Sequence, residues 1–98
     1  MLPQTPPDER ETAKVLRAYL RDGVLTTMPR RGRKRRIVLE HLVQRFEPGA
    51  RYPEVDVNLA LRQAHPDVAA LRRYLVDEGL LERDHGVYWR AGGRVDVP

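Results

Sequence analysis

The stretch that decides the fold runs from His65 to Arg90 and reads HPDVAALRRYLVDEGLLERDHGVYWR. Its first half predicts a helix over residues 66–78, because proline is tolerated in a first helical turn and Gly79 offers a left-handed stop. Its second half predicts a short β-hairpin, since residues 80–83 and 87–90 flank a polar turn that contains a glycine. One helix and one hairpin therefore follow each other directly.

Two further helices are predicted before this unit. Apolar residues recur at spacings of three and four between residues 37 and 46, which indicates a buried helix ended by the Glu-Pro-Gly of residues 47–49. The next helix is expected to have Pro53 in its first turn and to end near Ala64 or His65, with the apolar pairs Val55–Leu59 and Val57–Leu61. Three helices followed by a hairpin is the order of a winged helix-turn-helix.

The N-terminal part predicts one more helix, over residues 9–22. Asp8 and Glu11 have the spacing of a capping box, and Gly23 stands where a helix commonly ends. Its expected apolar positions are Ala13, Leu16, Tyr19 and Leu20. The apolar residues 24–28 are expected to form an extended connection or an edge strand.

The expected fold class is mainly α with a small β-hairpin, a winged helix-turn-helix with an extra N-terminal helix. Ninety-eight residues suffice for one domain but not for two independent cores. We expect a flexible, proline-rich leader over residues 1–7, a single domain over 8–90 with its winged core at about 33–90, and a C-terminal tail over 91–98.

Positive charge is concentrated in residues 30–36, the basic segment, which reads RRGRKRR. The chain has 18 Lys plus Arg against 14 Asp plus Glu; without the six cations of the basic segment, 12 basic and 14 acidic side chains remain. Such local basicity predicts contact with phosphates. Cations before a helix also oppose its dipole, so an anion is expected nearby. A solvated linker, or contact with an acidic protein, is the alternative.

The helix over 66–78 is the candidate for entering a nucleic-acid groove. Helical spacing turns Val68, Leu71 and Leu75 inward and Ala69, Ala70, Arg73 and Asp77 outward. Small residues allow close approach to a groove, and an arginine can pair with guanine or phosphate. The alternative is an ordinary solvated face. Arg72, at the flank, is expected to pair with Asp67 or another carboxylate.

The hairpin tip offers Arg83 and His85 for contacts to phosphate or to the minor groove, although a short polar turn explains both equally well. Trp89 is expected to anchor the core, and Tyr52 and Tyr74 are also expected to be structural. The candidate nucleic-acid-binding residues are therefore Arg30, Arg31, Arg33, Lys34, Arg35, Arg36, Ala69, Ala70, Arg73, Arg83 and His85.

Catalytic and cofactor functions find no support in the composition. The chain has no cysteine and no serine, and its three histidines lie on different expected elements without metal-ligand spacing. We expect no enzyme activity, metal or cofactor. Without a signal peptide, a membrane span or an amphipathic apolar face beside the arginines, we also expect a cytoplasmic protein with no membrane partner.

Several motifs carry a resemblance to a known family. They lie between Met28 and Trp89 and include FEPGARY (46–52), His65-Pro66-Asp67, LRRYLVD (71–77) and GVYW (86–89). In these motifs the chain resembles the uncharacterised bacterial family catalogued as domain of unknown function 2087. The resemblance implies an association with transcriptional regulators, without a known reaction, ligand or target sequence.

The function expected from these observations is that of a DNA-binding transcriptional regulator. Because the basic segment precedes the buried helix and is expected to stand apart from the 66–78 helix, it is assigned to sequence-independent phosphate contact, and Arg73 is the first candidate for base readout. RNA binding by the same fold is a close alternative. Another is a protein-interaction or dimerisation module that pairs two chains through the N-terminal helix, and a third is a ligand pocket between that helix and the core.

Overall fold

The structure, a computed structural model, describes residues 8–91. About half of these residues are helical, and the rest include two small antiparallel sheets. The expected leader over 1–7 and most of the expected tail lie outside the described residues. In chain order the elements are α1 (Glu9–Tyr19), β1 (Leu20–Arg21), β2 (Val24–Leu25), α2 (Arg33–Leu42), a 3₁₀ turn (Val43–Arg45), β3 (Arg51–Pro53), α3 (Glu54–Arg62), α4 (Val68–Asp77), β4 (Leu81–Asp84) and β5 (Val87–Arg90).

The N-terminal helix begins as expected but is shorter than predicted. The Asp8 carboxylate accepts a hydrogen bond from the Glu11 amide at 2.8 Å, which caps α1. The prediction that this helix continues to residue 22 is wrong, because Asp22 and Gly23 have φ of 55° and 82° and join β1 to β2 in a two-residue turn. Positive φ at both central residues is what a tight hairpin with a type I′ turn requires.

The second sheet has the strand order β3-β5-β4. The predicted hairpin is confirmed as β4–β5, with His85 and Gly86 at the turn. The strand β3, which the sequence analysis did not predict, pairs with β5 so that Tyr52 faces Tyr88. The domain is therefore α+β, with more sheet than the single hairpin expected.

The core lies among the helices and the inner face of this sheet. Leu71 and Leu75 of α4 are fully buried, as predicted, whereas Val55 and Leu59 of α3 are 62% and 56% exposed and face outward. Ala13 is also exposed, and Val15 takes the buried position on α1. The buried apolar side chains are Val15, Leu25, Ile37, Val38, Leu39, Leu42, Val43, Phe46, Val57, Leu61, Ala64, Leu71, Leu75, Leu81 and Tyr88.

The prediction that Trp89 anchors the core is wrong. Alternation along β5 turns only one of two neighbouring side chains inward, and that side chain is Tyr88, which is 1% exposed. Its hydroxyl reaches the Glu54 carboxylate at 3.0 Å. Trp89 lies on the outer face, where its indole N–H donates to Glu82 at 3.1 Å and the Arg51 guanidinium carbon lies 4.6 Å from its ring centroid.

Candidate nucleic-acid interface

Helix α4 presents a small, exposed face. The Asp67 carboxylate accepts a hydrogen bond from the Ala70 amide at 3.1 Å and so caps the helix. Ala69, Arg73 and Asp77 are exposed, as predicted, and Ala70 is half-buried. We call this exposed face the α4 ridge.

On one side of the ridge lies a cleft of about 280 Å³ between α4 and the β4–β5 hairpin, the hairpin cleft. Arg83 lies on the same strand face as buried Leu81 and opposite Tyr88 in the register, so its side chain is directed to the α4 side of the sheet. The hairpin cleft is lined by Ala69, Arg72, Arg73, Val76, Asp77, Arg83 and Tyr88.

Arg72 in this cleft is held by α3. Its guanidinium donates to the Asn58 side chain and lies 3.9 Å from the Glu54 carboxylate. The expected carboxylate partner is thus Glu54, and Asp67 serves as the helix cap instead. Arg73 and Arg83 have no ion pair within residues 8–91, so no carboxylate in that part of the chain neutralises their charge.

On the other side of the ridge lies a cleft of about 490 Å³, the segment cleft, lined by Arg31, Arg35, Tyr74, Asp77 and Glu78. The Arg35 guanidinium carbon lies 4.0 Å from the Tyr74 ring centroid, and its Nε donates to the Pro29 carbonyl at 3.0 Å. Arg73 approaches the same ring, at 5.5 Å. The expectation that the basic segment stands apart from this helix is therefore wrong: Tyr74 joins the two.

Two arginines of the basic segment hold elements together. Arg33 makes a bidentate pair with Glu11, at 2.6 and 3.0 Å, and so ties α2 to α1. Its hydrogen bonds hold the pKa of Glu11 below the ordinary value, and the same pairing raises the pKa of Arg33. Arg33 therefore stabilises the contact between α1 and α2, and its guanidinium is already paired with a carboxylate.

Arg36 ties the start of α2 to the end of α4. It donates to Glu40 at 2.7 Å and to the Glu78 carbonyl and carboxylate at 2.6 and 3.2 Å. The hydrogen bond that Arg36 donates to Glu40, followed by the one that it donates to Glu78, raises the pKa of Arg36. The carbonyl bond also satisfies a helix terminus, so the role of Arg36 is structural.

The remaining cations of the segment are Arg30, Arg31 and Lys34. All three are exposed, and none forms an ion pair in the part of the chain that the structure describes. They border a third cleft of about 490 Å³ whose floor includes Tyr19, Met28 and Pro29. The site residues predicted in the basic segment thus divide into exposed cations and cations that the fold already uses.

The hairpin tip carries the last candidate. His85 is almost fully exposed, and its Nδ1 lies 2.7 Å from the Asp84 carboxylate. Its φ of 51° is the left-handed conformation of the turn. His85 is therefore engaged by a neighbouring carboxylate, whereas the Arg83 side chain lines the hairpin cleft.

Among residues 8–91, no group of three or more His, Cys, Asp and Glu side chains is arranged to hold a metal ion. No helix within that range has the length and apolar character needed to cross a membrane. The apolar side of α1, including Val15, packs against α2, so a dimer through this helix would have to use its charged outer face.

Tyr74 was expected to be structural, and its contact with the basic segment was not predicted. Its position directly after Arg73 offered a signal, because a tyrosine at the flank of the inward stripe can reach a neighbouring element. The sequence does not show that the chain brings the Arg35 guanidinium onto the Tyr74 ring, because the two residues are far apart in the chain.

Fold and site together define a small α+β domain in which the exposed face of a helix lies between two arginine-lined clefts. The chain belongs to the family described as "Uncharacterized protein conserved in bacteria (DUF2087)", whose model matches residues 24–90. The resemblance seen in the motifs is thereby confirmed, and α1 and β1 lie outside the matched range. No significant match to a curated protein or to a solved structure was found.

Proposed function

We propose that this domain is a winged helix that binds duplex DNA and acts as a transcriptional regulator. The order α2-β3-α3-α4-β4-β5 with a β3-β5-β4 sheet supports the fold assignment. In this assignment α4 is the recognition helix and the β4–β5 hairpin is the wing. Since the function requires access to DNA, the proposal includes a cytoplasmic location.

The observation that carries the proposal is the α4 ridge between two clefts that both contain arginine. The major groove of DNA is about 12 Å wide and admits an α-helix, with one phosphate backbone along each edge. A helix in that groove therefore needs a small exposed face and cations on both flanks. Ala69 and Arg73 supply the face, and Arg83 and Arg35 supply the flanks.

The proposal assigns different tasks to the exposed cations. Arg73 on the ridge is in position for base edges, where a bidentate contact to guanine gives discrimination. Arg83 and the exposed cations of the basic segment contact phosphates, which adds affinity without sequence information. The acidic Asp77 at the end of the ridge limits deep insertion to the N-terminal half of α4, around Ala69 and Arg73.

The test compares two arginines of the same sheet. Arg83→Ala removes a cation on the α4 side, and Arg51→Ala removes one on the opposite face. Binding of each variant to a labelled duplex is measured by fluorescence anisotropy across a salt series. We expect Arg83→Ala to lower the slope of log K against log salt by about 0.9, which corresponds to one phosphate, and Arg51→Ala to leave it unchanged.

Two results would overturn the proposal. One is the absence of salt-dependent duplex binding by the unmodified chain, and the other is an equal loss from both substitutions. The same measurements with single-stranded DNA and with RNA decide the kind of nucleic acid: tighter binding to RNA than to the duplex would replace DNA by RNA.

A further inference from the structure

The segment cleft contains an arginine whose side chain is fixed without an ionic partner. The Nε of Arg35 donates to the Pro29 carbonyl at 3.0 Å, and its guanidinium lies 4.0 Å from the centre of the Tyr74 ring. These contacts occupy the Nε and one face of the planar group. The two terminal nitrogens have no hydrogen-bond partner within residues 8–91 and remain available as donors to a ligand.

The segment cleft is lined by two arginines and two carboxylates, and Glu78 shares its partner Arg36 with Glu40. Arg35 forms no ion pair within residues 8–91, so its positive charge remains available to an anion. A phosphodiester carries one negative charge, and a planar guanidinium offers it two parallel hydrogen bonds.

We propose that the segment cleft is the binding site for one phosphodiester group, with Arg35 as its ligand and Tyr74 as the positioning residue. This inference rests on the proposed function, since the phosphodiester is one of the duplex backbone beside the α4 ridge. Tyr74 acts through its ring: stacking fixes the guanidinium at low entropic cost before the phosphate arrives. Arg31, on the rim, adds charge.

The experiment distinguishes the contribution of the Arg35 charge to duplex binding from the contribution of its fixed side-chain geometry. Arg35→Gln should weaken duplex binding about tenfold at low salt, the effect of one charge-assisted contact, and lower the salt slope by about 0.9. Arg35→Lys keeps the charge and should keep the slope but bind more weakly, because an ammonium group cannot form the two parallel bonds.

Tyr74 is tested with two substitutions. Tyr74→Phe keeps the ring and should bind like the unmodified chain, whereas Tyr74→Leu releases Arg35 and should weaken binding several-fold at every salt concentration. The matched control is Arg51→Gln, because Arg51 also stacks on an aromatic ring, at 4.6 Å, but on the outer face of the sheet. Thermal unfolding of each variant confirms that it is folded.

The outcomes distinguish this inference from the proposed function. Salt-dependent duplex binding with an unchanged slope in Arg35→Gln overturns the phosphate site alone, while no duplex binding by the unmodified chain overturns both. If Tyr74→Phe and Tyr74→Leu bind the duplex equally tightly, Tyr74 does not position Arg35. Inorganic phosphate, titrated at constant ionic strength, identifies the source: competition with the duplex at micromolar concentration would make the site one for free phosphate and contradict the assignment to the DNA backbone.

Discussion

At the scale of single residues, the turn of the β4–β5 hairpin gives a prediction free of packing effects. Gly86 has φ of 78°, and a Cβ added there would meet no atom within 4 Å. The cost of a side chain is therefore purely conformational. We expect Gly86→Ala to lower the free energy of unfolding by about 1–2 kcal/mol, measured by urea denaturation.

The control at the same position is Gly86→Asn. Asparagine adopts positive φ more readily than alanine, so it should cost clearly less although its side chain is larger. Equal losses from both substitutions would mean that space, rather than φ, limits this position.

Tyr88 and Trp89 show at the same scale what a sequence leaves open. Period-2 alternation states that one of two neighbours in a strand faces the core, and this held. Which one does so depends on the register of β5 between β3 and β4, where Tyr88 pairs with Tyr52 and Arg83. The expectation that a lone tryptophan in a small domain anchors the core favoured Trp89 and was wrong.

At the scale of elements, the Glu11–Arg33 pair that joins α1 to α2 predicts a pH-dependent stability. The hydrogen bonds from Arg33 lower the pKa of Glu11 in the folded state, so the folded chain binds fewer protons there than the unfolded chain. The stabilisation is then fully present above the ordinary pKa of a glutamate, and it is lost as pH falls through the lowered value.

The variants that check this are Glu11→Gln and Glu9→Gln. Both remove a carboxylate from the first turn of α1, but within residues 8–91 only Glu11 forms an ion pair with Arg33. Urea denaturation should show Glu11→Gln to be the less stable of the two at pH 7, with the difference shrinking as pH falls through the lowered pKa of Glu11. A difference that persists at low pH would show that the pair contributes no charge interaction.

The elements themselves were predictable to different degrees. Helix α4 and the β4–β5 hairpin follow from strong local signals, namely the Asp67 cap, the apolar stripe and the glycine turn. The β1–β2 hairpin also has a local signal, the Asp22-Gly23 turn. The helical spacing of apolar residues through residue 20 led instead to the prediction of a continuous helix. Strand β3 has none, because its three residues become a strand only by pairing with β5, which lies far away in the chain.

At the scale of the whole molecule, the distribution of charge along the sequence showed that the excess positive charge lies in the basic segment. It did not show which of these cations are paired with carboxylates of the fold and which are exposed. Arg33 and Arg36 are held by carboxylates of α1, α2 and α4, while Arg30, Arg31 and Lys34 are exposed. Those pairings join residues up to 42 positions apart, so spacing along the chain could not reveal them. Replacing the whole segment would therefore damage the fold together with the proposed binding.

This division gives the last prediction, which separates phosphate contact from base readout. The double substitution Arg30→Ala/Lys34→Ala removes two exposed cations that line neither cleft beside the α4 ridge. It should weaken binding to every duplex by the same factor and lower the salt slope by up to about 1.8. Arg73→Ala should instead change which sequences are preferred, because the proposed function places this cation of the ridge at base edges.

Selection of bound duplexes from a randomised library, followed by salt titrations on the enriched sequences, measures both effects. Binding sites selected by the double variant should match those of the unmodified chain, whereas Arg73→Ala should lose preference at one or two base pairs. If Arg73→Ala selects the same sequences with a reduced salt slope, Arg73 is a phosphate contact. The ridge would then carry no sequence readout through this residue, and the domain would bind DNA by backbone contacts from α4, the hairpin and the basic segment alike.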